Sequence, residues 1–68
     1  MLSLEVNGTQ EQLQASTVAQ VLVLKGIELD RKGIAVALNS AVVPRRVWGD
    51  TTLKSGDVLE IITARQGG

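Results

Sequence analysis

Apolar and polar residues alternate strictly at the start of the chain. Leu2, Leu4 and Val6 fall on one side, and Ser3, Glu5 and Asn7 on the other. A period of two places successive side chains on opposite faces, so this segment reads as a strand with one buried face. Asn7-Gly8 follows. Both residue types tolerate positive φ, which predicts a two-residue hairpin turn, with Thr9–Leu13 as a return strand polar enough to be an edge. The period then lengthens: Val18, Val21, Leu22 and Lys25 lie at helical spacing. Thr17 with Gln20 three residues later resembles a capping box, with Ser16 as the rival cap. Gly26 suits the left-handed position just past the helix end. Ile27 and Leu29 are expected to pack under the loop that follows, and Asp30-Arg31-Lys32-Gly33 to form a polar turn.

A second alternating run gives Ile34, Val36 and Leu38 one face and the small Ala35 and Ala37 the other. Asn39-Ser40 turns the chain into Ala41-Val42-Val43, and Pro44, lacking an N–H, stops ladder pairing. Lys54-Ser55-Gly56-Asp57 is a turn that opens the last strand, Val58–Ala64. Glu60 is its charged residue and faces solvent, so Leu59 and Ile61 point to the core while Ile62 and Ala64 share the outer side. The order is strand, strand, helix, strand, short strand, strand. Such an order predicts an α+β domain over residues 1–64: a mixed four- or five-stranded sheet with one helix packed across one face. Residues 65–68 are expected to be a flexible tail, since Gln66-Gly67-Gly68 has no apolar side chain to anchor it.

Composition narrows the chemistry. With 68 residues there is room for one domain. Seven Lys+Arg balance seven Asp+Glu, so the chain carries no electrostatic footprint for nucleic acid or an anionic membrane. Cysteine and histidine are both absent, which removes disulfides, thiolate metal sites, thiol nucleophiles and the commonest general base. Four serines and five threonines therefore have no histidine to activate them. Asp30, Asp50 and Asp57 are too scattered for a metal loop and suit turns or caps instead. Neither a catalytic constellation nor a bound cofactor is expected. Apolar runs such as Val21–Leu24 and Ile34–Leu38 are far short of a membrane span, and the start lacks the basic-then-apolar pattern of a signal peptide. The expected location is the cytosol.

Four features remain for function. Glu60, Ile62 and Ala64, with Ser3, Glu5, Ala35 and Ala37, would lie on the open sheet face as a flat protein-docking patch. Trp48, the only aromatic residue, reads as a packing residue that closes the core edge. Arg45 and Arg46 with Arg65 would make either a basic patch for acidic groups on a partner or a solvated surface. The fourth feature is Ala64-Arg65-Gln66-Gly67-Gly68. Glycines can thread a narrow slot closed to bulkier residues, which would bring the Gly68 α-carboxylate to a nucleotide in a partner's active site. A frayed end is the plain alternative.

Strand-strand-helix-strand-strand followed by Gly-Gly resembles the β-grasp, ubiquitin-like family. Within it the chain is most similar to the ThiS family, the sulfur carriers of thiamine thiazole biosynthesis. Asn7-Gly8, Asn39 before Val42-Val43-Pro44-Arg45, Trp48 three residues after Arg45, and Gly56-Asp57 carry the resemblance. It spans essentially the whole chain. Val-Pro-Arg-x-x-Trp, from Val43 to Trp48, is its most specific internal element. The resemblance implies that a ubiquitin-activating-type enzyme adenylates the Gly68 carboxylate with ATP and magnesium. It implies further that a persulfide relay supplies sulfur to form a thiocarboxylate, and that a thiazole synthase takes that sulfur. On this reading Gly67, Gln66 and Arg65 thread the tail, and the chain is a protein cosubstrate. Arg65-Gln66 departs from the apolar residues common there in the family. The alternatives are a carrier of the kind that forms the small subunit of molybdopterin synthase, and a non-covalent ubiquitin-like interaction module.

Overall fold

The computed structural model describes residues 1–64; the expectations for Arg65, Gln66, Gly67 and Gly68 lie outside the described residues. Five strands form one mixed sheet: β1 (Leu2–Val6), β2 (Thr9–Leu13), β3 (Ile34–Leu38), β4 (Ala41–Val42) and β5 (Val58–Thr63). Their spatial order is β2-β1-β5-β3-β4. β1 and β2 make the predicted hairpin, with Leu4 opposite Glu11 and Val6 opposite Thr9. Asn7 and Gly8 both take positive φ, 51° and 82°, as a turn matched to right-handed strand twist requires. β5 runs parallel to β1 and antiparallel to β3. The last strand of the chain is thus the middle strand of the sheet. It is one residue shorter than expected, because Ala64 lies beyond the final ladder pair, Ile34 with Thr63.

The helix α1 (Val18–Leu24) crosses one face and buries Val18, Val21 and Leu22. Both candidate caps are used. Thr17 Oγ1 accepts from the Gln20 N–H at 3.2 Å, while Gln20 Oε1 accepts from the Ser16 N–H at 2.6 Å and from its hydroxyl at 2.9 Å. The reciprocal contact of a capping box is therefore made one residue upstream of the cap. Gly26 has φ 77°, and the Ile27 N–H returns to the Leu22 carbonyl at 2.9 Å, which closes the helix end. Beneath α1, Leu4, Val6, Val36, Leu59 and Ile61 fill the core. Ile27 packs against this cluster as expected. Leu29 does not: it is 39% exposed, because the polar turn that follows holds it at the surface.

Between β4 and β5 a 3-10 helix spans Arg45–Asp50, an element the sequence patterning did not predict. Pro44 precedes it, and the Val47 N–H bonds the Pro44 carbonyl at 3.0 Å. This turn delivers Trp48 to the core, 3% exposed, with its indole N–H donating to the Val43 carbonyl at 2.9 Å. A buried indole needs such a partner for its one polar group. Segment 51–53 then bonds the helix start, Val18 N–H to Thr51 O at 3.1 Å and Leu53 N–H to Ser16 O at 2.9 Å. Among the described residues no helix is long and apolar enough to cross a membrane.

Candidate functional site

The face of the sheet opposite α1 carries no covering element among the described residues, and pairing register determines what it presents. Ile62 lies opposite Ala35, Glu60 opposite Ala37, and Ala37 opposite Val42. On the other side of β5, Val58 lies beside Glu5, while Glu5 faces Gln10 and Ser3 faces Gln12. Paired residues share a face, so two halves result. Over β3, β4 and β5 the surface is small and apolar, with Val42 79% and Ile62 57% exposed. Over β1 and β2 it is polar, with Gln10 Nε2 donating to Ser3 Oγ at 2.6 Å. The charged strand residues of this face, Glu5 and Glu60, are both acidic. Opposite them, on the helix side, Glu11 pairs with Lys25.

Glu60, Ile62 and Ala64 are all exposed, and Ser3, Glu5, Ala35 and Ala37 lie around them on the same face. Arg45, grouped from the sequence with Arg46 and Arg65, is otherwise engaged. Its guanidinium stands 4.6 Å from the centroid of the Trp48 ring and donates to the carbonyls of Leu29 and, at 2.6 Å, Arg31. The fork that would grip a partner's carboxylate is committed within the chain.

Two asparagines that the sequence marked only as turn residues hold β5 from both sides. The Glu5 N–H bonds Asp57 O and the Asn7 N–H bonds Leu59 O, at 3.1 and 3.0 Å. Next along β5 the partner becomes the Asn7 side chain: Oδ1 accepts from the Ile61 N–H at 2.7 Å and Nδ2 donates to the Ile61 carbonyl at 3.1 Å. The carboxamide thus extends the ladder after the main chain has turned away. Across the strand, the Asn39 N–H bonds Val58 O at 2.8 Å and Asn39 Oδ1 accepts from the Val58 N–H at 2.9 Å. Asn39 has φ 50°, and its side chain replaces the carbonyl that an ordinary antiparallel pair would offer. Asn39 Nδ2 also donates to Asp57 Oδ1 at 3.1 Å, and Asp57 Oδ2 accepts from the Lys54 N–H at 2.9 Å. Asp57, buried at the strand's start, is a turn residue as its position suggested. The only signal for these bonds in the sequence is that asparagine, whose side chain mimics a peptide, stands at both turns.

At its far end β5 is held by one further bond, from the Ala64 N–H to the Gly33 carbonyl at 2.7 Å. Gly33 has φ 80°, and a Cβ there would come within 3.2 Å of the Ala64 carbonyl oxygen. Glycine is needed here both for its backbone angle and for closeness.

Comparisons with known proteins agree with this architecture. Residues 3–68 match the ThiS family. The chain is 38% identical over 63 residues to the sulfur carrier protein ThiS of Thermus thermophilus, covering 93% of this chain and 95% of that one. It is similar in structure to the thiamine biosynthesis protein (ThiS) of Geobacter metallireducens. The crystal structure of that protein aligns with a TM-score of 0.79 at 27% identity, over 98% of this chain and 100% of that one. Its solution NMR structure gives the same score and identity, over 98% and 88%.

Proposed function

The chain belongs to the ThiS family of β-grasp proteins, and from that premise we propose that it carries sulfur for thiazole formation on the α-carboxylate of Gly68. The observation that carries this reading is the placement of β5. The central strand of the sheet runs out along the open face and leads, through Ala64, directly into Arg65-Gln66-Gly67-Gly68.

The chemistry needs no side chain of this protein. In an adenylating partner, the Gly68 carboxylate oxygen attacks the α-phosphorus of ATP, pyrophosphate leaves, and an acyl adenylate forms. Magnesium neutralises the phosphates in that partner. The terminal sulfur of a persulfide then attacks the acyl carbon and displaces AMP. A thiol cleaves the resulting S–S bond, taking the second sulfur into a disulfide and leaving a thiocarboxylate. A thiazole synthase receives that sulfur. The chain contributes recognition and reach. Residues 1–64 form the domain, Glu60, Ile62 and Ala64 dock, and Arg65, Gln66 and Gly67 thread the tail, with Gly67 and Gly68 alone in the narrow part of the channel that a Cβ would obstruct. Four residues beyond Ala64 span at most roughly 13–14 Å when fully extended. The nucleotide must therefore lie within that distance of Ala64. All of these partners act in the cytosol on this reading.

Intact mass spectrometry tests it. Incubation with the adenylating enzyme, ATP, magnesium, a persulfide donor and a thiol should add about 16 Da, the exchange of one oxygen for sulfur. No gain under conditions that convert a known carrier of the family would overturn the proposal in favour of a non-covalent interaction module. Sulfur transfer to a thiazole synthase, and not to a molybdopterin synthase large subunit, separates the two carrier readings.

A further inference from the structure

The stretch from Val43 to Trp48 contributes nothing to the chemistry just described, yet it is connected to the place where that chemistry begins. Trp48 is fixed in the core by burial and by its bond to Val43 O. Arg45 stacks over the ring of that indole, 4.6 Å from its centroid, and spends its guanidinium on the carbonyls of Leu29 and Arg31. Both carbonyls belong to the irregular segment between α1 and β3, which buries little: Leu29, Asp30, Arg31, Lys32 and Gly33 are all exposed. Its local hydrogen bonding is correspondingly sparse, with the Arg31 N–H to Glu28 O at 3.1 Å. A loop of this kind opens easily unless something braces it. The same loop ends at Gly33, whose carbonyl takes the Ala64 N–H at 2.7 Å. The series runs without a gap: Trp48, Arg45, the loop carbonyls, Gly33, Ala64, and then the four residues that end in Gly68.

We propose that Arg45 is a positioning residue for the reactive terminus, bracing the 29–33 loop against Trp48 so that Gly33 fixes Ala64, the point from which the C-terminal residues depart. This rests on the carrier reading for its consequence and on the hydrogen bonds alone for its mechanics. A fixed departure point matters because only four residues separate it from the carboxylate. Displacing the base of so short a segment removes part of its reach and misaligns the carboxylate with the α-phosphorus. Docking through Ile62 and Glu60, which sit on the paired part of β5, is untouched, so only the share of the docking contact made by Ala64 changes. Lysine cannot replace the arginine, because a single ammonium does not span two carbonyls as the planar fork does. The effect belongs on turnover and not on binding.

The test compares the full-length wild-type chain with Arg45→Gln and Gly33→Ala. Amide exchange is read by NMR at Ala64, Leu59 and Val21, and adenylation is read as pyrophosphate release by the activating enzyme. Arg45→Gln should accelerate exchange at Ala64 by about tenfold while Leu59 and Val21 keep their rates. It should lower kcat by about fivefold or more with KM for the chain within about twofold. Gly33→Ala, which strikes the same joint directly, should show the same split. Unchanged exchange at Ala64 in Arg45→Gln, or faster exchange with wild-type turnover, overturns the proposal. So does equal acceleration at Leu59 and Val21 in both variants, which would make the motif a general stabiliser. A wild-type chain that is not adenylated at all defeats the carrier reading instead, and exchange at Ala64 then decides the mechanical link by itself.

Discussion

Asn7 shows how much one residue can be asked to do. It accepts a left-handed backbone so that β1 can turn, and its carboxamide then takes the place of the strand that has turned away. The first duty was legible from Asn-Gly alone. The second was not, because Ile61 is 54 residues distant and nothing local places it there. The two duties separate experimentally. Asn7→Gly keeps the turn and removes both side-chain bonds, leaving the Ile61 peptide without partners on that side. Urea denaturation should show a loss of about 1–3 kcal/mol, with Asn7→Ala losing more because it adds a strained φ. A loss for Asn7→Gly near zero would mean that water serves Ile61 as well as the carboxamide does. Trp48 is the converse case. Its burial followed from its size in a small core, but its stacking partner Arg45 was read from the sequence as surface charge. Tertiary placement alone set that charge, still exposed, over the indole and against the carbonyls of Leu29 and Arg31.

Among the elements, β5 was the best specified. Its period of two, with a single carboxylate at Glu60, assigned Leu59 and Ile61 to the core and Ile62 to the open face, and the burial pattern follows that division. The 3-10 helix was the least specified. Six residues after a proline show no period long enough to detect, and i→i+3 turns leave no distinct hydrophobic stripe. β4, only Ala41–Val42, is held by its pairing with β3 and by the turn at Asn39-Ser40 more than by any preference of its own. At this scale the docking proposal can be tested. Ile62→Asp adds a third carboxylate to a face that already carries Glu5 and Glu60, at a site 57% exposed. Stability should change by less than about 0.5 kcal/mol. Affinity for the adenylating enzyme should fall by about tenfold or more, measured by calorimetry, if that face buries Ile62. Unchanged affinity would remove this face from the interface.

For the molecule as a whole, the proposal separates a folded domain from the residues that react. Deleting Gly67 and Gly68 should leave the melting temperature within about 2 °C, since a stable core forms from residues 4–61, and should abolish the mass gain with the activating system. A fall of many degrees would show that those glycines contribute to the fold. The sequence by itself determined which segments are strands, which is the helix, where the first hairpin turns, and which residues of β5 face inward. Those properties are local: they depend on side-chain period, on φ tolerance at two adjacent residues, and on the cost of burying a lone charge. It also determined that catalytic side chains are scarce. Only the tertiary structure decided that the last strand lies between β1 and β3, that two turn asparagines complete its hydrogen bonding, and that Arg45 braces the loop which holds Ala64. These depend on contacts between residues far apart in the chain. Such contacts arise when a single core buries every apolar face at once, and no local pattern encodes them.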